Sequence, residues 1–197
     1  MPRDPVSRRA ILKSLTMGVV AGSVMRVIPL EAAEYAHAMI EAEKGNVGAY
    51  SPKFFDAGSY KTLQALCETI LPADADAGGA IEAGTPEFID LLTSENTQYQ
   101  ATLGGGVKWL DATCITRYGK AYLGSSPEQQ KTILDLIAFR KNAEQDEALT
   151  NGVEFFGLLR SMTADGFFTS KIGIKYLGYK GNTYLTAFPG CPPVPGV

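Results

Sequence analysis

Across 197 residues, 18 basic side chains face 21 acidic ones, and 45% of the residues are hydrophobic. That acidic balance excludes a nucleic-acid partner held by a basic surface. The length suits one compact domain around a single core, and no apolar run reaches the roughly 20 residues that a membrane-spanning helix needs.

The chain opens on Ser7-Arg8-Arg9-Ala10-Ile11-Leu12-Lys13, followed by a small and apolar run with no charge before Arg26. A basic n-region ahead of a short, mildly apolar h-region is the layout of an export signal, and the arginine pair marks the route that carries folded proteins. Ser7, Arg8, Arg9, Ile11, Leu12 and Lys13 are the informative positions of that twin-arginine motif. Ala36-His37-Ala38 is a small-residue candidate for processing before Met39. The chain then divides into a signal peptide and cleavage region over 1–38, a linker over 39–58 and a helical domain over 59–197. The expected location is the periplasm.

From residue 59 the periodicity is helical. Leu63, Leu66, Cys67, Ile70 and Leu71 form an apolar stripe with Ser59 as the expected N-cap, and Pro72 stops the helix. After the acidic, Gly-rich loop containing Asp74, Asp76 and Glu82, Thr85-Pro86-Glu87 opens a second helix that buries Phe88, Leu91 and Leu92. A third is expected from about Thr97 to Tyr118, with Leu103, Val107, Leu110, Cys114 and Tyr118 on one face. Gly104-Gly105-Gly106 inside it costs about 1 kcal/mol per glycine against alanine, which favours a place where another part of the chain packs close. Ser126-Pro127-Glu128-Gln129 starts a fourth helix, with Ile133, Leu134, Ile137 and Ala138 inward. A fifth spans about Ala148 to Ala164, with Val153, Phe156, Leu159 and Met162 inward. The expected fold is all-α: a compact multi-helix domain with an irregular C-terminal segment rich in aromatics, glycine and proline.

That segment, from Gly166 onward, has no sustained period and is too apolar to stand in water, so it needs a surface to lie on. Two readings stand. It wraps its own helical body, or Phe167, Phe168, Tyr176, Tyr179, Tyr184 and Phe188 face another protein, as aromatics do at interfaces.

Catalytic signatures are missing. His37 is the single histidine and sits at the edge of the signal, which excludes a histidine-dependent triad or a multi-histidine metal site in the domain beyond it. No G-x-G-x-x-G, Walker loop or C-x-x-C-H is present, so the expectation is no catalytic, cofactor-binding or metal-binding residue in this chain. Asp74, Asp76 and Glu82 lack the further ligands of a calcium loop and read as turn formers. Cys67 and Cys114 sit on apolar stripes as small core residues. Cys191, in Pro-Gly-Cys-Pro-Pro, is outside any helix; an intersubunit disulfide, a pair with a core cysteine and a free thiol all remain open.

Several stretches together resemble one family. The segment from Glu68 to Asp90, "ETILPADADAGGAIEAGTPEFID", is similar to the signature of the gluconate 2-dehydrogenase subunit 3 family, as are "GVKWLDA", "RYGKAYLGSSPEQQKTILDLIA" and the C-terminal "GFFTSKIGIKYLGYKGNT…FPGCP". The resemblance implies a small, gamma-type, non-catalytic subunit. Its implied partners are a large glucose-methanol-choline-type flavoprotein that holds FAD, a multihaem cytochrome c subunit with haem c, and the Tat translocon. The implied location is the periplasm, at the inner membrane through those partners. The arginine pair would then export a folded heterodimer whose catalytic chain has no signal of its own. The competing reading is a free-standing exported helical binding protein with no dehydrogenase partner.

Overall fold

The structure, a computed structural model, describes residues 28–181, and among them all regular structure is helical. The fold is all-α. Helix α1 (Leu30–Val47) is followed by an extended strap, residues 48–56, and by α2 (Ala57–Ile70). Next come α3 (Thr85–Ser94), a short α4 (Thr97–Tyr99) that continues through a π-helical stretch (Gln100–Gly104) into α5 (Gly105–Tyr118), then α6 (Pro127–Ile137) and α7 (Arg140–Gln145). Helix α8 (Thr150–Phe168) and the short α9 (Lys171–Tyr176) complete the described chain.

Helix α8 is the axle. It packs on α2, α3, α5, α6, α7 and α9, and buries Phe155, Phe156, Leu158, Leu159, Met162 and Phe167. Two of its glycines let neighbours come close. A Cβ on Gly152 would lie 2.5 Å from the Trp109 ring, and one on Gly166 would lie 2.8 Å from Phe88. The glycine run at the start of α5 works the same way. Gly106 is filled against by the Phe155 ring and Gly104 faces Phe54, while Gly105 meets nothing. The π-helical turn over Gln100–Gly104 absorbs one residue of register just ahead of that contact.

Several start signals work as their chemistry dictates. Ser126 and Gln129 form a reciprocal capping box on α6, with Pro127 in the first turn. Helix α2 is capped by Asp56, whose carboxylate accepts from the N–H groups of Gly58 and Ser59 at 2.9 Å each, rather than by Ser59. Helix α3 starts after Gly84, whose φ of +73° lies in the left-handed region; Thr85 is the first helical residue instead of the cap.

The segment before residue 59 departs from the expected linker. Ala36, His37 and Ala38 lie in the middle of α1, residues 39–47 complete that helix, and Ile28, Ala32, Ala33, Ala36 and Ile40 join the main core. Burying the two isoleucines alone stabilises this docking by about 1.5–3 kcal/mol each. The helical part of the C-terminal region is also longer than expected: α8 runs on to Phe168, and α9 follows after a two-residue corner.

Candidate functional site

The corner between α8 and α9 sets which aromatics point outward. Ser170 Oγ donates to the Phe167 carbonyl at 2.7 Å and accepts from the Gly173 N–H at 3.1 Å, capping α9. The turn is tight enough that a Cβ on Gly173 would run into the Phe167 carbonyl, so this position requires glycine. Around and after this corner Phe168, Ile174, Tyr176, Leu177 and Tyr179 are exposed, Tyr176, Leu177 and Tyr179 each by more than half.

Phe167 does not belong to that surface. It is 5% exposed and packs within its own chain, edge-on to Phe168 with ring centroids 5.1 Å apart. Consecutive residues on a helix point about 100° apart, so one of the pair enters the core and the other leaves it. Phe168, Tyr176 and Tyr179 are exposed. Ile174 and Leu177, which the sequence did not single out, are exposed as well. Tyr184, Phe188 and Cys191 lie outside the described residues, as do Ser7, Arg8, Arg9, Ile11, Leu12 and Lys13.

A cleft of about 500 Å³ adjoins this surface, between α1, the turn before α3 and the α8–α9 corner. His37 and Thr169 meet in it at 3.0 Å. The Thr169 hydroxyl also donates to the Asp165 carbonyl, 2.6 Å away, which ties it to its own helix. The ring also stacks on Phe88 at 5.0 Å. Burial holds the His37 pKa below the ordinary histidine value, against the opposing pull of the Glu41 charge and the Gly166 carbonyl. Two ion pairs lie at the cleft, Lys44 with Glu87 and Lys171 with Glu41, both at 2.7 Å, while Glu34 and Glu82 add further negative charge to its wall. These bonds tie α1 to α3 and α9.

Elsewhere the polar groups have structural work. Asp74 Oδ1 accepts from the N–H groups of Asp76 and Ala77 at 2.8 Å each, closing the acidic loop as a turn. Glu68 of α2 holds that loop through the N–H groups of Ala73 and Ile81. Among the described residues no group of three or more His, Cys, Asp or Glu is placed to hold a metal, and no helix is long and apolar enough to cross a membrane. Cys67 and Cys114 are buried free thiols, and burial pushes the Cys67 pKa up to about 12, which keeps it protonated and inert.

The one residue of this region whose importance the sequence concealed is Asp90. It is fully buried on α3, and its carboxylate accepts from the N–H groups of Lys53, Phe54 and Phe55 and from the Tyr50 hydroxyl. It is the aspartate of the Phe-Ile-Asp segment, and the strap it clamps leads directly into α2.

The family model described as gluconate 2-dehydrogenase subunit 3 matches residues 57–190, from the first residue of α2 into the C-terminal segment. The chain belongs to the gluconate 2-dehydrogenase subunit 3 family. No curated protein and no solved structure matches it. The subunit 3 match takes in the acidic loop, Asp90, the glycine run, the capping box and the α8–α9 corner, while α1 and the strap precede it.

Proposed function

We propose that this chain is the non-catalytic gamma-type subunit of a periplasmic FAD-dependent dehydrogenase that oxidises CH–OH groups. In this reading it binds a large glucose-methanol-choline-type flavoprotein, escorts it through the Tat translocon, and reaches the inner membrane through partners that include a haem c cytochrome. The observation that carries the reading is the subunit 3 match across residues 57–190. The exposure of Tyr176, Leu177 and Tyr179, three large apolar side chains close together in sequence at the end of α9, supports it, because aromatics exposed on a surface serve as anchors for a partner.

In this reading the flavin is held by the partner. A dinucleotide cradle is built on a strand, a glycine-rich turn and a following helix; the sequence lacks the glycine pattern and the described residues include no strand. Flavin would supply hydride acceptance from the carbinol carbon, and that chemistry is assigned to the partner. The tasks left to this chain are to present α9 as a preformed apolar ledge, to exclude water from the joint, and to carry the export signal. Tyr176 and Tyr179 suit the first two tasks, since each offers a rigid apolar ring with a polar tip at the wet margin.

The escort role is tested by Arg8→Lys with Arg9→Lys in cells that also make the large subunit. Lysine keeps the charge and loses the planar two-pronged donor. Both chains are expected to remain in the cytoplasm, with dehydrogenase activity lost from the periplasmic fraction. A large subunit that still reaches the periplasm contradicts the escort role.

A further inference from the structure

Helix α1 precedes the family match and runs straight through Ala36-His37-Ala38, yet it is built into the body along its length. Ile28 is 8% exposed, and its N–H donates to the Asp165 carboxylate on α8. Ala32, Ala33 and Ala36 are each at most 1% exposed, and Ile40 is 4% exposed. His37 stacks on Phe88 and bonds to Thr169, Lys44 pairs with Glu87, and Glu41 pairs with Lys171. A cut before Met39 would therefore remove Ile28, Ala32, Ala33 and Ala36 from the core, together with His37 and its contacts to Phe88 of α3 and Thr169 at the α8–α9 corner, leaving Ile40, Glu41 and Lys44 of the docked face.

A protease acts on a chain that has left its helix and extended, so a peptide bond inside a docked helix is cut only through local unfolding. We propose that the exported chain retains residues 28–38 and that any processing of its signal occurs before Ile28. The inference rests on the twin-arginine reading for one step: a chain that folds before it crosses the membrane presents α1 to the processing enzyme as a formed, buried helix. A chain threaded unfolded would instead offer Ala36-His37-Ala38 as an open segment. The small residues at 32, 33 and 36 are then there for helix packing, where alanine lets two backbones approach, and not for recognition by a signal peptidase.

Two measurements on the full chain test this. The first is intact mass and N-terminal sequencing of the protein recovered from the periplasm; the expected N-terminus lies at or before residue 28, and an N-terminus at Met39 overturns the proposal. The second is digestion, by a protease of broad specificity, of the chain trapped in the cytoplasm by Arg8→Lys with Arg9→Lys, compared with the same chain in urea. The bond between Ala38 and Met39 is expected to survive natively and to be lost in urea, and equal cleavage in both overturns the proposal. If the unaltered chain never reaches the periplasm, the export reading fails while the digestion still decides whether α1 belongs to the folded body.

Discussion

The Tyr50 hydroxyl donates to Asp90 Oδ2 at 2.8 Å, joining the strap that follows α1 to the buried side of α3. Burial and the neighbouring carboxylate push the tyrosine pKa upward, so it stays a donor at any ordinary pH. The same oxygen accepts from the Lys53 N–H at 2.6 Å, and Oδ1 takes the N–H groups of Phe54 at 3.1 Å and Phe55 at 2.9 Å. Four donors converge on one carboxylate, which satisfies backbone groups that no helix or strand could serve.

Asp90→Asn keeps the shape and turns an NH₂ group towards two of those donors. The expected loss is about 3 kcal/mol or more in chemical denaturation, since bonds to charged groups contribute about 1.5–3 kcal/mol each. Tyr50→Phe removes a single donor and is expected to cost less, about 1.5 kcal/mol.

The glycine run offers a matched pair of substitutions. Gly106→Ala forces a methyl into the Phe155 ring and is expected to destabilise by about 1–3 kcal/mol. Gly105→Ala, one residue earlier in the same helix and facing open space, is expected to stabilise by about 0.5–1 kcal/mol. Opposite shifts of the urea midpoint check both.

His37 makes stability depend on pH in a defined direction. Its folded pKa lies below its ordinary value, so the unfolded chain takes up the proton first as pH falls. Stability from this group is complete above about pH 6.5 and is lost progressively below it. His37→Phe keeps the stacking on Phe88 and removes the titration, so the variant's urea midpoint should fall less than the parent's between about pH 7.5 and about pH 5.5.

Much of the helical plan was legible because it rests on local chemistry. The stripe on α2, the Ser126–Gln129 box and the stop at Pro72 each depend on residues a few positions apart. The parts that were not legible depend on distant partners. Helix α1 hides because its core side is largely alanine: Ala32, Ala33 and Ala36 pack closely but carry little hydropathy, and an Ala-x-Ala triplet looks the same in a helix as in a cleavage site. Helix α9 and the end of α8 hide because Gly166 and Gly173 lower helix propensity in isolation, and only Phe88 and the Phe167 carbonyl show why glycine stands there. At the candidate site, the helical phase that buries Phe167 and exposes Phe168 was invisible without the corner at Ser170. Asp90 was quoted as part of a motif, yet its partners are backbone N–H groups, which leave no mark in a sequence.

The most direct test of the subunit reading is to isolate this chain from native membranes with an antibody, in parallel with Tyr176→Ser and Leu177→Ser combined. Both positions are more than half exposed, so the double variant should keep its folding stability to within about 0.5 kcal/mol. The unaltered chain is expected to bring down a second polypeptide that carries the flavin and oxidises CH–OH groups, and the variant to come down without it. Flavin bound to this chain itself, or a variant that retains the flavoprotein in full, would contradict the account.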